Sequence, residues 1–212
     1  MSGERDERLA ASVAEHPAGD DPLADFETLF ERARREVAAP QDATACVLAT
    51  ADAEGRPSAR VVLLKGVDER GFQFFTNYGS RKAVQLAANP QAALCFHWPA
   101  LGVQVRAEGE AERLPEAESD AYFASRPRGS RVGAWASRQS RPLTSRAELL
   151  ERVAEAEARF AGEAVERPGF WGGYLLRPRR IEIWWDGEFR LHDRLVYTRR
   201  TDGGWNAERQ YP

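Results

Sequence analysis

The chain is poor in the residues that mark metal and disulfide proteins. Its 212 residues include two cysteines and three histidines, and no CxxC or HExxH spacing occurs. Cys46 and Cys95 each lie in an apolar run that is typical of a buried strand. We therefore expect two small core residues, and neither a disulfide nor a metal site.

Long apolar runs and nucleotide-binding signatures are also missing. No run approaches the roughly 20 apolar residues that span a bilayer, and the charged N-terminal stretch has no signal-peptide core. Neither G-x-G-x-x-G nor a Walker motif occurs, so nothing supports a Rossmann or P-loop domain. The net charge of −3 gives no reason to expect binding to nucleic acid or to a membrane. The expectation is a soluble cytoplasmic protein.

What is present is typical of one globular domain, with 42% hydrophobic and 30% charged residues. Residues 1–20 are polar and aperiodic, which predicts a disordered tail before a single domain over 21–212. Asp21-Pro22 has the form of a helix N-cap followed by proline. Apolar residues then recur at three- and four-residue steps, which predicts a helix that ends before Pro40.

Short apolar runs separated by tight turns predict a β-rich α+β fold, in which a meander closes into a barrel or a sandwich. Strands are predicted over 45–50, 59–65, 72–76, 91–98, 103–114, 173–176, 180–185, 190–199 and 205–208. Further helices are predicted over 80–88, 115–125 and 145–160.

The segment 190–194 has an unusual alternation of charge. It follows a predicted turn at 186–188, so a hairpin strand is expected. In a strand, Arg190, His192 and Arg194 would share one face, and that face would suit an anion. Taken alone, the pattern is more typical of a solvated edge strand.

Two further basic clusters point toward anions. Arg60 and Lys65 bracket an aliphatic strand that is predicted to be largely buried, although both could simply extend into water. Arg81 and Lys82 open the helix after Ser80, where cations oppose the helix dipole. A phosphate bound at that helix end would explain them, and an ordinary surface turn is the alternative.

A third cluster, over 122–140, is rich in hydroxyl groups, arginine and an amide, and its prolines and glycines predict a polar loop. Each cluster is a weak signal by itself. Together they predict donor-rich sites for one or two phosphorylated small molecules rather than a polyanion.

The sequence resembles the pyridoxine/pyridoxamine 5′-phosphate oxidase family of flavoproteins. The similar segments are RVVLLK (60–65), FTNYGSRK (75–82), YFASRPRGS (122–130), GAWAS (133–137) with QS (139–140), FWGGY (170–174), IEIW (181–184) and RLHDR (190–194). This resemblance implies an FMN-binding split β-barrel, a Greek-key barrel with flanking helices. It also implies a homodimer with FMN at the interface.

The resemblance implies residue roles as well. The FMN contacts would be Arg60, Val61, Val62, Leu63, Leu64, Lys65, Phe75, Thr76, Arg81 and Lys82, with Gln104, Gln139, Ser140, Trp184 and Arg194 expected from the second subunit. The substrate phosphate would meet Lys65, Tyr122, Arg126 and Ser130. Arg190 and His192 would act at the substrate ring beside the flavin, as the catalytic pair.

The implied reaction is oxidation of pyridoxine or pyridoxamine 5′-phosphate to pyridoxal 5′-phosphate by O2, with release of H2O2 and, from the amine, NH3. One alternative is a related split-barrel flavin oxidase with another substrate, as in the phenazine pathway, and another is a non-catalytic FMN- or pyridoxal-phosphate-binding protein. The chain departs from the family pattern by lacking a tyrosine before Tyr78, by ending in RQYP and by carrying Trp185 in place of a common glutamine.

Overall fold

A curled antiparallel sheet dominates the computed structural model, which describes residue 16 and residues 18–212. The strands of this part of the chain are β1 (Ala45–Ala51), β2 (Pro57–Leu63), β3 (Gly66–Asp68), β4 (Gly71–Asn77), β5 (Gln91–Trp98), β6 (Val103–Arg113), β7 (Trp171–Trp185), β8 (Asp193–Arg199) and β9 (Trp205–Arg209). The helices are α1 (Pro22–Glu36), α2 (Arg81–Ala88), α3 (Glu116–Ser125), α4 (Arg128–Ala136) and α5 (Arg146–Arg159). The predicted β-rich α+β class is confirmed.

The sheet has the strand order β2-β1-β5-β6-β7-β4-β3, and β8 and β9 extend it from β7. Strand β7 makes the curl possible because its first half pairs with β4, its second half pairs with β8, and β6 lies along both. The sequence predicted two strands here, over 173–176 and 180–185. They form one continuous strand because β7 takes up Pro178 in a β-bulge, in which Arg179 is the extra residue opposite Glu108/Gly109 of β6.

Aromatic side chains fill the space between α1 and the inner face of the sheet. Helix α1 begins as predicted, since the Asp21 carboxylate accepts a hydrogen bond from the backbone N–H of Leu23. From this helix Phe26 contacts Phe72 and Phe96, with ring centroids 4.8 and 4.9 Å apart. This packing fixes α1 against the barrel.

The segment predicted as a polar loop contains a helix instead. Residues Arg128–Ala136 form α4, and the turn before it is set by Pro127. Gly129 and Gly133 lower the helix propensity of this stretch, which is why the sequence did not predict it. The helix is stabilised because Val132 and Ala136 are buried in a small core with Phe160, at the end of α5.

Strand β2 is not largely buried, which corrects a second prediction. Val61 is 64% exposed and Leu63 is 40% exposed, because β2 is an edge strand whose outer face is uncovered in the single chain. Val47 of β1 lies opposite Val61 and is 40% exposed as well. The three side chains form an apolar strip on the outside of the sheet.

The segment 190–194 is only partly a strand, which is a third correction. Glu188–Arg190 form a short 3₁₀ turn in which Phe189 and Arg190 have φ of 56° and 63°. These left-handed residues reverse the chain, and β8 begins only at Asp193. The predicted alternation of Arg190, His192 and Arg194 therefore does not exist.

Most of the predicted N-terminal tail lies outside the described residues. Of its described part, His16 stacks on Trp185 with ring centroids 4.1 Å apart. The His16 backbone N–H donates to Asp193 at 2.8 Å, which gives that carboxylate a partner that the sequence did not reveal. The Gly19 backbone N–H donates to the Tyr197 hydroxyl.

The two cysteines are free, and of the two predicted core residues only Cys46 lies in the core. Cys46 is buried, and burial raises the pKa of its thiol to about 12, whereas Cys95 is only partly buried. Within residue 16 and residues 18–212, no group of three His, Cys, Asp or Glu side chains could hold a metal ion. None of the helices described above is long and apolar enough to cross a membrane.

Candidate active site

A cavity of about 630 Å³ opens between the sheet and helices α3 and α4. Strands β2 and β4 form one wall, and the two helices form the other. Of the residues assigned by resemblance, the cavity brings together Val61, Val62, Leu63, Lys65, Phe75, Thr76, Lys82, Tyr122, Arg126, Ser130 and Gln139. The other assigned residues do not line it.

Lys82 contributes a positive charge to this cavity without a carboxylate partner. Its Nζ donates to Thr76 Oγ1 at 3.2 Å, to Gln139 Oε1 at 3.2 Å and to Ser80 Oγ at 3.4 Å. Burial lowers the pKa of Lys82, and the neighbouring Arg60 charge lowers it further. A cation held only by neutral oxygens in a half-buried position is a strong attractor for an anion.

Arg60 is likewise a partly buried cation whose hydrogen-bond acceptors are neutral oxygens. Its guanidinium donates to the Leu48 carbonyl at 3.1 Å, to Thr50 Oγ1 at 2.7 Å and to Ser58 Oγ. Burial lowers the pKa of Arg60, and the charge of Arg81 adds to that effect. Arg81 itself is exposed and makes no hydrogen bond or ion pair within the described residues. Three cations thus surround the first turn of α2, and none of the described carboxylates pairs with them.

A stack of aromatic rings forms the base of the cavity near α3. Tyr122 lies on Phe75 with centroids 3.9 Å apart, and Trp171 follows in the same stack. The Arg126 guanidinium lies 4.6 Å from the centroid of the Trp171 ring. These contacts hold Arg126 at the mouth of the cavity.

Arg126 has an unsatisfied donor. Its Nη1 is buried and has no hydrogen-bond partner in the described part of the chain, and burial lowers the pKa of the guanidinium. Lys65 and Ser130 line the same cavity, on the strand and the helix side respectively. Two cations and two hydroxyl groups around one space make a shell suited to a phosphate group.

Gln139 occupies an unexpected place. The resemblance assigned it to the second subunit, but here it accepts a hydrogen bond from Thr76 Oγ1 at 3.1 Å within the same chain. This is a correction. Leu64 is only 2% exposed, so its side chain belongs to the core and not to the cavity wall.

Five other assigned residues form a second cluster at the far end of β7: Gln104, Trp184, Arg190, His192 and Arg194. Ser140 belongs to neither group, since it is exposed in the loop after α4, with φ of 70°. Gln104, Trp184 and Arg194 are register partners on β6, β7 and β8. His192 packs against Trp184 with ring centroids 4.5 Å apart. Its Nδ1 lies 3.1 Å from the Gly187 backbone nitrogen and 3.2 Å from Asp186 Oδ1.

Arg190 differs from its neighbours because its side chain is exposed and makes no hydrogen bond or ion pair with another described residue. Its left-handed backbone is sparsely populated for a residue with a Cβ. This guanidinium is therefore free to meet a ligand.

The Glu182 carboxylate binds three arginines of the second cluster. Its carboxylate is 2% exposed and accepts hydrogen bonds from Arg194 Nε at 2.9 Å, from Arg180 Nη2 at 3.0 Å and from Arg106 Nη2. Burial alone would raise the pKa of Glu182, but hydrogen bonds from Arg194 and Arg106 outweigh it and hold that pKa at about 2. The cluster keeps a surplus of positive charge.

The two clusters lie at opposite ends of one strand. Thr76 of the cavity pairs with Gly172 at the start of β7, whereas Trp184 lies twelve residues further along that strand. Twelve extended residues span about 40 Å, and the curl of the strand shortens this distance only in part. A single chain therefore carries two separate half-sites.

Several residues of the cavity wall were not assigned from the sequence. These are Asn77, Pro127, Gly133, Ala134, Ser137 and Trp171. The sequence did contain a signal for these residues, because all of them lie in or beside the segments on which the family resemblance rests. What the sequence did not show is that Trp171 contacts Arg126 and Tyr122.

Comparison with protein families decides the relationship. Residues 33–160 match the model described as pyridoxamine 5′-phosphate oxidase, and residues 171–212 match the pyridoxine 5′-phosphate oxidase C-terminal dimerisation region. The chain belongs to the pyridoxine/pyridoxamine 5′-phosphate oxidase family. Apart from Gln104 and Arg106, the second half-site thus falls within the part of the family that is described as a dimerisation region.

Individual relatives agree with the family assignment. The pyridoxine/pyridoxamine 5′-phosphate oxidase of Anaeromyxobacter dehalogenans is 63% identical over 186 residues, which are 88% of this chain and 93% of the relative. That of Rubrobacter xylanophilus is 56% identical over 212 residues, covering 100% of this chain and 96% of the relative.

Solved structures share the fold. PhzG from Burkholderia lata, in complex with tetrahydrophenazine-1-carboxylic acid, has a TM-score of 0.86 and 31% identity, and covers 94% of this chain and 98% of its own. A pyridoxamine 5′-phosphate oxidase-related, FMN-binding protein from Nostoc punctiforme has a TM-score of 0.72 at 19% identity, covers 92% of this chain and 100% of its own, and shows the fold alone. The predicted split barrel is confirmed.

The Glu182 cluster predicts a specific loss of stability in acid. The folded-state pKa of Glu182 is about 2, whereas the pKa of a glutamate in the unfolded chain is about 4.3. The charged Glu182 therefore contributes its full stabilisation of the fold above about pH 4.3. This stabilisation is lost as pH falls through the folded-state pKa. We expect Glu182→Gln to lower the free energy of unfolding at pH 7 by about 3 kcal/mol and to flatten its fall between about pH 4.5 and pH 2.

Urea denaturation at several pH values measures this effect. Glu112→Gln is the matched control, because Glu112 is half exposed and its one ion pair within the described part of the chain is with Arg177. An unchanged acid slope in the Glu182 variant would contradict the assignment.

Proposed function

We propose that the protein is an FMN-dependent oxidase that converts pyridoxine or pyridoxamine 5′-phosphate to pyridoxal 5′-phosphate. Electrons pass to O2, and H2O2 is released. The observation that carries the proposal is two separate groups of cations that have no carboxylate partner among the described residues. Lys65 and Arg126 line the cavity, and Lys82, which also lines it, lies beside Arg60 and Arg81. One group suits the phosphate of the flavin and the other suits the phosphate of the substrate.

The residues present fit a flavin phosphate. Arg60 and Lys82 donate only to neutral oxygens, and Arg81 is free within the described residues. A phosphate of nearly two negative charges would compensate this charge at the start of α2. Phe75 and the aliphatic residues 61–63 of β2 offer the apolar surface that a flavin ring requires.

The substrate phosphate is assigned to the shell of Lys65, Tyr122, Arg126 and Ser130. The buried and unsatisfied Nη1 of Arg126 points to an absent acceptor. The Tyr122 hydroxyl would donate to the phosphate, since burial raises the pKa of this phenol and keeps it protonated.

A homodimer with FMN at the interface completes the site. The two half-sites of one chain are too far apart to meet, so a complete site needs the second half-site of another copy. The exposed apolar strip of Val47, Val61 and Leu63 is suited to burial in such an interface. In this arrangement Trp184, Arg190, His192 and Arg194 of one chain face the cavity of the other.

A bound flavin would supply the redox chemistry, which is hydride acceptance from C4′ of the substrate and electron transfer to O2. The protein would orient the reactants. Arg190 would polarise the C4′ substituent, and His192 would help to hold the ring or assist proton movement. Arg194, fixed by Glu182, would place a positive charge beside the flavin.

A second candidate is an oxidase of the phenazine type, which the fold similarity to PhzG supports. The phosphate shell distinguishes the two, because a substrate that carries no phosphate has no need of Lys65, Arg126 and Ser130 together. The same shell would remain in a protein that binds FMN or pyridoxal phosphate without catalysis, but such a protein has no need of a free Arg190.

One assay tests the proposal. The purified protein is loaded with FMN, its visible spectrum is recorded, and aldehyde and peroxide are followed with pyridoxine 5′-phosphate and with pyridoxamine 5′-phosphate. We expect a yellow protein that forms both products. A protein that stays colourless with FMN would contradict flavin binding, and a yellow protein without turnover would favour the two alternatives.

Arg81→Ala is expected to weaken FMN binding by roughly 10- to 100-fold, because it removes one of the three phosphate-facing charges. Fluorescence titration of the apoprotein with FMN measures the dissociation constant. Turnover at saturating FMN should change little. Arg146→Ala removes the same charge from an exposed position at the start of α5 and serves as the control.

A further inference from the structure

Gln85 of α2 lies at the centre of a polar cluster behind Arg60. This side chain is only 5% exposed. Its Oε1 accepts hydrogen bonds from Thr50 Oγ1 and Ser58 Oγ at 2.7 Å each, and from Arg60 Nη2 at 3.5 Å. Thr50 and Ser58 also accept from the same guanidinium, so one amide holds every side-chain partner of Arg60 in place.

What distinguishes this cluster is that its central acceptor, the Gln85 amide oxygen, carries no charge. Other arginines in similar surroundings pair with carboxylates, as Arg70 does with Asp68 and Glu118, and as Arg194 does with Glu182. Among the described residues, Arg60 instead donates only to a carbonyl, two hydroxyls and an amide. A glutamate in place of Gln85 would have nearly the same shape and would neutralise the guanidinium.

We propose that Gln85 is a positioning residue that orients Arg60 through a neutral acceptor, so that the charge of Arg60 remains available to the flavin phosphate beside Arg81 and Lys82. The inference rests on the proposed function. The charges of Arg60, Arg81 and Lys82 already influence one another, since the Arg81 charge lowers the pKa of Arg60 and the Arg60 charge lowers that of Lys82.

The test is Gln85→Glu in the full-length apoprotein, titrated with FMN and with riboflavin, which lacks the phosphate. We expect the dissociation constant of FMN to rise about tenfold or more, while that of riboflavin stays the same. Because the new carboxylate gains an ion pair with Arg60, the melting temperature of the apoprotein should stay the same or rise. The Gln85 amide nitrogen makes no hydrogen bond to a described residue, so the change breaks none there.

These readouts separate positioning from a purely structural role. If Gln85 only supported the fold, Gln85→Glu would lower the melting temperature and weaken FMN and riboflavin together. Gln91→Glu is the control for charge, because it makes the same change on an exposed side chain at the start of β5. It should bind FMN like the wild type.

A second variant covers the case in which Gln85→Glu fails to fold. Ser58→Asp places a carboxylate against the same guanidinium at a partly exposed position, and the same selective loss of FMN affinity is expected. An FMN dissociation constant within twofold of wild type in the folded variant overturns the inference. Failure of the wild-type protein to bind FMN would instead overturn the proposed function.

Discussion

Arg126→Ala is expected to lower kcat/KM for pyridoxine 5′-phosphate by about 10²-fold, mostly through a higher KM. The guanidinium is fixed against the Trp171 ring, and its buried Nη1 has no other partner in the described structure. Removing it leaves the substrate phosphate with Lys65 as its nearest cation. Steady-state kinetics with FMN at saturation measure the effect.

Two controls make this result specific. Arg146→Ala, far from the cavity, should leave KM unchanged, and the Arg126 variant should bind FMN as tightly as the wild type. Arg126→Lys keeps the charge but loses the planar guanidinium, so its KM should lie between that of the wild type and that of Arg126→Ala. Equal loss of FMN and substrate affinity in Arg126→Ala would contradict the separation of the two phosphate sites.

Arg190→Ala is expected to lower kcat by roughly 10²-fold, because a group that polarises the reacting substituent acts mainly in the transition state. FMN affinity should change little, since Arg190 is exposed and lies apart from the Arg60, Arg81 and Lys82 group. Normal turnover by this variant would refute the role given to Arg190.

The proposed dimer also predicts the activity of hybrid dimers formed from the two variants. Arg126 and Arg190 of one site come from different chains, so a hybrid dimer of the two alanine variants contains one site with both changes and one intact site. Unfolding and refolding an equimolar mixture should therefore restore about a quarter of the wild-type activity from two nearly inactive proteins. No gain in activity, in a mixture shown to contain hybrids, would place both residues in the same chain's site.

The sequence was sufficient for the half-site around the cavity. Lys82, Tyr122 and Arg126 were assigned through short segments that resemble the family, and the structure brings them together around one cavity. The same is true of the strand 91–98, which was predicted with its observed bounds. The residue pattern of a short segment is enough to predict the bounds of such a strand.

Other features were beyond local pattern. Helix α4 depends on burial of Val132 and Ala136 against α5, which outweighs two glycines. The unbroken strand β7 depends on its own bulge at Pro178 and Arg179, opposite Glu108/Gly109 of β6. The turn at Phe189 and Arg190 uses a left-handed backbone that these residue types seldom adopt, so no alternation rule could predict it.

By itself, the sequence determined the β-rich class, the family resemblance and the identity of the charged residues, because each of these is written in composition and short motifs. The tertiary structure decided which charges lack carboxylate partners, and so where an anion is needed. It also decided that the assigned residues divide into two half-sites at opposite ends of β7. That division depends on strand register and curl over distant segments, and it is the physical reason to expect a second chain.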